Sequence, residues 1–341
     1  MKKLRLLFLM AVFTNSIHAQ IATPNQNIPH DFQFYQKLNQ AVYDQDQKFH
    51  SSIRGFYADD SKLSKSYDSL MNYGVDSLNK RSWAHRKLFN EHLLEFKDDD
   101  YFIYADFLPD FSIGKEFVEG KTTWLNTRGF QVGGQVGKQF SFYLNGFENQ
   151  GKFAKYYNDF IIQNQVVPGQ GFGKLATETQ DWSYVTALLS YTPNKYINLA
   201  LGYDKNFIGD GYRSMLLSDN SSNYSFFRVR ASVGSVQYQT IFAYMLDPGA
   251  PKLATDRRLG DRGKWMAAHY LDWNISNKFS LGLFQAVTWA DAEVEGKRGF
   301  DFNYIHPFVF LRPIESTNTT SPDKMRLGIN AKYEVLKNTA L

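Results

Sequence analysis

The stretch LGYDKNFIGDGYRSMLLSDN, residues 201–220, changes character halfway along. Leu199, Leu201 and Tyr203 alternate with Ala200, Gly202 and Asp204, the period-two pattern of a strand with two unlike faces. A dense polar run follows, in which Gly209 and Gly211 flank Asp210. Glycine there lets the backbone take positive φ or approach another segment closely. Met215, Leu216 and Leu217 then lead to a turn at Ser218, Asp219 and Asn220. A soluble protein can carry such a loop. So can the interior of a membrane barrel, where polar residues collect on the inner face.

The same period extends outward in both directions. Tyr101–Leu108, Gly129–Gly137, Gln139–Phe147, Ser183–Tyr191, Tyr196–Asp204, Ser225–Val233, Val236–Tyr244, Trp265–Trp273, Phe279–Val287, Asp301–Phe310 and Met325–Tyr333 all read as strands. Phe140, Phe142 and Leu144 oppose Ser141, Tyr143 and Asn145; Met325, Leu327 and Ile329 oppose Arg326, Gly328 and Asn330. Arg228 and Arg230 share a face with Ser232 against Phe227, Val229 and Ala231, and two arginines on one strand face suit a wet lumen better than a packed sandwich core. Connections alternate in length. Gly137-Lys138, Thr192 to Lys195, Gly234-Ser235 and Ser276 to Lys278 are short, whereas Glu148–Asp181, Ile208–Tyr224, Asp247–Lys264 and Ala290–Gly299 are long and polar. Short turns at one end and long loops at the other are the layout of a bacterial outer-membrane barrel. A soluble all-β protein is the competing reading.

The run Asn206-Phe-Ile-Gly-Asp-Gly-Tyr-Arg-Ser, continuing through Leu216-Leu-Ser-Asp-Asn220, resembles the signature of Wzi-like outer-membrane proteins. That group includes capsule-assembly proteins and gliding-motility proteins of the RemB type. The segment Phe49-His50-Ser51-Ser52-Ile53-Arg54 is similar to the RemB type as well. The resemblance implies an outer-membrane β-barrel with helices on its periplasmic side. It also implies a role in attaching or organising surface polysaccharide, or in surface gliding.

Composition agrees with a β-rich chain having one apolar and one polar face. Of 341 residues, 16% are aromatic, including 29 Phe and 21 Tyr, yet mean hydropathy is −0.42. A net charge of +4 is too weak at this length to point to nucleic acid. Residues 1–19 read as an export signal: Lys2, Lys3 and Arg5, then an apolar core from Leu6 to Phe13, then Ile17-His18-Ala19 as the cleavage site. With no cysteine there is no disulfide, thiolate zinc site, cysteine nucleophile or lipoprotein anchor. An exported chain without a long apolar run can stay in a membrane only as a barrel.

Residues 20–98 read as a helical periplasmic segment. Phe34, Leu38 and Val42 recur every four residues behind Asp31 as N-cap, and 61–73 and 81–97 also read as helices. His50, His85 and His92 lack metal-ligand spacing and read as surface or capping residues. The barrel is assigned to 99–341. That is short for the architecture, and YEVLKNTAL lacks a closing aromatic residue, so the barrel is expected to be incomplete at its C-terminus.

No motif for catalysis survives inspection. Gly169-Gln-Gly-Phe-Gly-Lys174 lacks P-loop spacing because Leu175 stands where Ser or Thr is needed. Ser214 lacks a nucleophile-elbow context, and His269 and His306 are remote from it in sequence. A hydrolase is therefore the weakest reading; no enzyme activity, metal or cofactor is expected. Sugars are bound by aromatic faces among Asp, Asn and Arg side chains. Loops of that composition are Asp204–Tyr224 and Trp289–Phe302, the second holding Asp291, Glu293, Arg298 and Asp301. Trp265, Trp273 and Trp289 read instead as an interfacial girdle. The candidate ligand-binding residues are Asp210, Tyr212, Arg213, Asp219, Asn220, Arg228 and Arg230. Expected partners are surface polysaccharide or other cell-surface components and outer-membrane lipid. A diffusion porin with Arg228 and Arg230 lining its pore is the alternative.

Overall fold

A computed structural model describes residues 26–44, 46, 48–73, 80–171, 173–175, 178–246, 263–293, 296–306, 323–336 and 339–340. The export signal, most of the Asp247–Lys264 connection and positions 307–310 lie outside the described residues.

The chain is mainly β. Its strands are β1 (Leu94–Lys97), β2 (Tyr101–Lys115), β3 (Thr122–Val136), β4 (Phe140–Lys152), β5 (Gly173–Leu175), β6 (Gln180–Asn194), β7 (Ile197–Asp204) and β8 (Tyr224–Val233). They continue as β9 (Val236–Leu246), β10 (Gly263–Asn274), β11 (Phe279–Ala290), β12 (Ala292–Glu293), β13 (Gly296–Lys297), β14 (Lys324–Leu336) and β15 (Thr339–Ala340). All but the small β12–β13 hairpin join one antiparallel sheet, in which chain neighbours are mostly sheet neighbours. Helices α1 (Phe32–Val42), α2 (Ser64–Met71), α3 (Trp83–Phe89) and α4 (Lys155–Asn164) complete the elements. Among the described residues no helix is long and apolar enough to cross a membrane.

The alternation read from the sequence sets the two faces: the outward one carries exposed hydrophobics, and the inward one mixes an apolar cluster that includes Tyr143, Leu188, Phe226, Ile241 and Phe284 with buried charged residues. Leu201, Phe227, Leu189 and Ile329 are 61%, 41%, 48% and 71% exposed, while Arg228, Arg230, Asp272 and Glu334 are all at most 3% exposed. On β4, Ser141 and Tyr143 are buried and Phe140 and Leu144 exposed.

Residues 26–73 cover the polar face. Their own core gathers Ile28, Tyr35, Leu38, Val42, Phe49, Phe56, Leu63 and Tyr67. Helix α1 starts where Asp31 accepts a hydrogen bond from the Phe34 amide at 2.7 Å, the N-cap that frees the first turn from an orphan donor. This segment touches both ends of the sheet. Gln26 hydrogen-bonds Tyr104 on β2, and the Lys332 ammonium on β14 sits 5.2 Å from the Tyr43 ring. Nine inter-strand steps separate β2 from β14, about 43 Å if flat, whereas α1 with its 11 residues is only about 16 Å long. The sheet therefore curls around the segment. Among the described residues no ladder joins β1 or β2 to β14 or β15, so it is open along one side.

Several expectations are corrected. The expected helix at 81–97 ends at Phe89, because Leu94–Lys97 pairs with β2 as an edge strand. The expected strand from Asp301 is a 3-10 turn, Phe302–Ile305, opened by Asp301 accepting from the Asn303 amide. Strand β2 runs past Leu108 through Pro109, which lacks an N–H but lies beyond the stretch that β1 pairs, with the other side on β3. Phe300 and Tyr304 fold over the outer face at Ala267, Val287 and Trp289, so Trp289 is buried rather than girdling.

Candidate functional site

The connection between β7 and β8 does not stand away from the sheet; it folds back into the space inside it. Phe207 and Ile208 are fully buried, and Ile208 bridges both Ile53 and Leu217. Gly209 has φ +137°, and a Cβ there would lie 2.6 Å from Ser214 Oγ, so the turn needs glycine on both conformational and steric grounds. Ser214 closes the turn, donating to the Ile208 carbonyl and accepting from the Leu216 amide.

The two segments that carry the family resemblance are each other's partners. The Arg54 amide donates to the Phe207 carbonyl and the Gly209 amide to the Ser52 carbonyl. The Arg54 guanidinium lies 3.8 Å over the Phe207 ring and donates to the Gly211 carbonyl. Asp210 is the hub. Its carboxylate accepts from Ser51 Oγ and from Asn330 Nδ2 at 2.6 Å, and the Tyr43 hydroxyl donates to its carbonyl at 3.2 Å. Lys332 donates to Ser51 at 2.9 Å and pairs with Glu334 at 3.2 Å, tying the last long strand to the same cluster. Ser51, Asn330 and Lys332 were not legible as site residues, because nothing in their spacing places them beside Asp210.

Beside this hub lies a cavity of about 820 Å³, lined by Phe32, Tyr35, Gln36, Asn39, Gln40, Tyr43, Arg54, Asp210, Gly211, Tyr212, Ala331 and Lys332. Tyr212 is exposed and packs edge-on to Phe32 at 4.4 Å. Burial raises both the Tyr35 hydroxyl, to about 12, and the Tyr43 hydroxyl, so both remain neutral donors at physiological pH.

The other candidate residues separate. Arg213 is exposed, its guanidinium 5.2 Å from the Tyr212 ring. Asp219 and Asn220 sit on the far side of the loop, near Lys205 and Gly169, and burial pulls the Lys205 ammonium below the usual lysine range against the pull of Asp204 and Asp219. Arg228 and Arg230 are buried and spend donors on the N-terminal segment. Arg228 donates to Asn27 Oδ1 at 2.9 Å; Arg230 donates to the carbonyls of Gly55 and Arg54 at 2.9 and 3.1 Å. In the second candidate loop, Asp291 is buried and accepts from the Trp265 indole at 2.7 Å, and Arg298 pairs with Asp323 and Asp301. Two histidines read as surface residues are paired instead, His50 with Asp272 and His92 with Asp106, each at 2.6 Å.

His30 stacks on Tyr35 near this cationic seam. Burial and then Arg228, Arg54, Lys205 and Arg230 lower its pKa to about 3. Above pH 6.5 the ring is neutral whether the segment is docked or free. As pH falls from 6.5 toward 3, only the released form takes a proton, so the docked state loses stability across that window. The urea midpoint of the full chain should fall in that range by more than that of His30→Gln. Identical profiles for the two proteins would remove His30 as the cause.

Comparison with protein-family models finds no match, and comparison with curated proteins finds none either.

Proposed function

We propose that the chain is a Wzi-like outer-membrane β-barrel, its sheet curled around residues 26–73, that binds surface polysaccharide without chemistry. One observation carries this reading: the outward face of the sheet is lined with exposed large hydrophobics, while its arginines, aspartates and amides are buried on the inward face beside an apolar cluster of Tyr143, Leu188, Phe226, Ile241 and Phe284. A soluble sheet buries its apolar face; contiguous apolar surface of this extent calls for lipid or a partner. The resemblance of residues 203–220 to the Wzi-like signature supports the same class.

The cavity beside Asp210 is the binding site in this reading. Phe32, Tyr35 and Tyr212 offer aromatic faces for sugar rings, and Gln36, Asn39, Gln40 and Arg54 offer amides and a cation for hydroxyls and acidic groups. Support of gliding would use the same surface grip on polysaccharide.

Cell fractionation with a heat-modifiability gel tests the class. A heat-shifted band in the outer-membrane fraction is the expected result, and a soluble periplasmic protein without a shift overturns it. For the site, Tyr212→Ala should weaken polysaccharide binding about tenfold, the scale of one lost aromatic contact. Fluorescence titration of the purified protein with the cell's own surface polysaccharide reads that change. An unaltered affinity would move the site elsewhere.

A further inference from the structure

A second cavity, of about 570 Å³, lies at the short-turn end of the sheet. It is enclosed by residues 48–62 of the N-terminal segment, the β6–β7 and β8–β9 turns and the end of β10. Lys48, Lys62, Lys195 and Arg230 line it against one carboxylate, Asp60, while His50 is taken up by Asp272. Asp60 is itself engaged, accepting from the Lys62 amide at 2.9 Å. Neither Lys48 nor Lys195 has a carboxylate partner among the described residues; Lys195 lies 5.0 Å over the half-exposed ring of Tyr196.

Two residues on the wall carry buried polar atoms with no partner among the described residues, and meeting them requires the wall to yield to the ligand. The Tyr57 hydroxyl is buried, under the Arg230 guanidinium at 5.2 Å, and has no partner among the described residues. Asn198 is 4% exposed; its amide nitrogen donates to Ser190 and Thr192 at 2.7 and 2.9 Å, but its oxygen accepts from nothing described. Buried groups of this kind destabilise the protein unless something satisfies them. A ligand that accepts from a phenol, donates to an amide oxygen and carries negative charge toward lysines would do so. A hydroxyl-rich anion has that chemistry, and Tyr196 supplies a flat face for its ring.

We propose that this cavity binds an anionic sugar, one bearing carboxylate or phosphate, as a site separate from the polysaccharide cavity beside Asp210. Lys195 and Lys48 meet the charge, Tyr57 and Asn198 the hydroxyls, and Tyr196 the ring. The site is independent of the proposed surface function, because none of its lining residues borders the other cavity.

Calorimetric titration of the full chain in detergent micelles tests it, with trigalacturonate and glucose 6-phosphate as probes and maltotriose as the neutral control. Binding of either anionic sugar, at least tenfold tighter than maltotriose and weakened by salt, is the expected result; which one binds names the anion. Lys195→Glu, at an exposed turn, should cost tenfold or more in affinity. Tyr57→Phe removes a hydroxyl that holds nothing in the protein, so it should leave the unfolding midpoint unchanged or higher while weakening the ligand severalfold. Tyr212→Ala should leave this affinity untouched. The proposal is overturned if maltotriose or inorganic phosphate binds as tightly, if Lys195→Glu and Tyr57→Phe both leave affinity unchanged, or if Tyr212→Ala abolishes binding.

Discussion

Arg230→Ala should release residues 26–73 from the sheet and lower the stability of the whole chain by about 3–5 kcal/mol. Arg230 is 3% exposed and spends its donors on Gln239 within the sheet and on the carbonyls of Gly55 and Arg54 across the interface. Truncation removes all of these at once and leaves two carbonyls without a donor. Gly55 deepens the effect: it has φ +83°, a conformation side-chain-bearing residues rarely adopt, and a Cβ there would press on Arg228 at 3.3 Å. The carbonyl that Arg230 grips is therefore presented by a turn that few other residues could form. Lysine should not rescue, since one ammonium cannot span the carbonyls and Gln239 as a planar fork does. Limited proteolysis in micelles reads the release directly, as new cleavage between residues 26 and 73. Planar-bilayer recording reads its consequence: the parent protein should be silent and the variant should conduct. A protease pattern identical to the parent's would mean that Arg230 does not hold the segment. Conductance in the parent would favour the diffusion porin.

The strands were legible because the faces alternate so cleanly. On β8, Arg228 and Arg230 against Phe227 and Val229 announce two environments, and the register to β7 and β9 sets Arg230 between Asn198 and Gln239 and Phe227 between Leu201 and Phe242. Asp31 was legible as a cap because capping is local. Long-range placement was not. The tripeptide Ser51-Ser52-Ile53 carries no sign that it will bridge Ile208 and hold Asp210, since both facts depend on how far the sheet curls. His50 and His92 looked solitary for the same reason; Asp272 and Asp106 lie 222 and 14 positions away. Residues 300–304 misled because Phe and Tyr at period two read as a strand, yet the side chain of Asp301 caps a 3-10 turn and the rings fold onto the outside of the sheet. Local pattern gave the elements, whereas the site arises from segments meeting inside the curled sheet.

Leu201→Arg separates a lipid-facing sheet from a soluble one with a single substitution. Leu201 lies midway along β7, 61% exposed, with Phe227 and Leu189 directly across on the neighbouring strands, 41% and 48% exposed. In water, replacing so exposed a leucine by arginine changes stability by less than about 0.5 kcal/mol, because the new charge stays solvated. At the middle of a bilayer the same charge costs about 2–4 kcal/mol, the range for arginine near the midplane of a barrel. The polar face supplies the control. Asn198 on the same strand is buried beneath the N-terminal segment and belongs to the interior whichever solvent lies outside. Equilibrium unfolding from lipid vesicles should therefore show a loss of about 2–4 kcal/mol for Leu201→Arg, and of less than about 0.5 kcal/mol for Leu201→Phe, which the hydrocarbon accepts. Equal, small effects from both would leave the outward leucines and phenylalanines facing something other than lipid, and the barrel reading would fall with them.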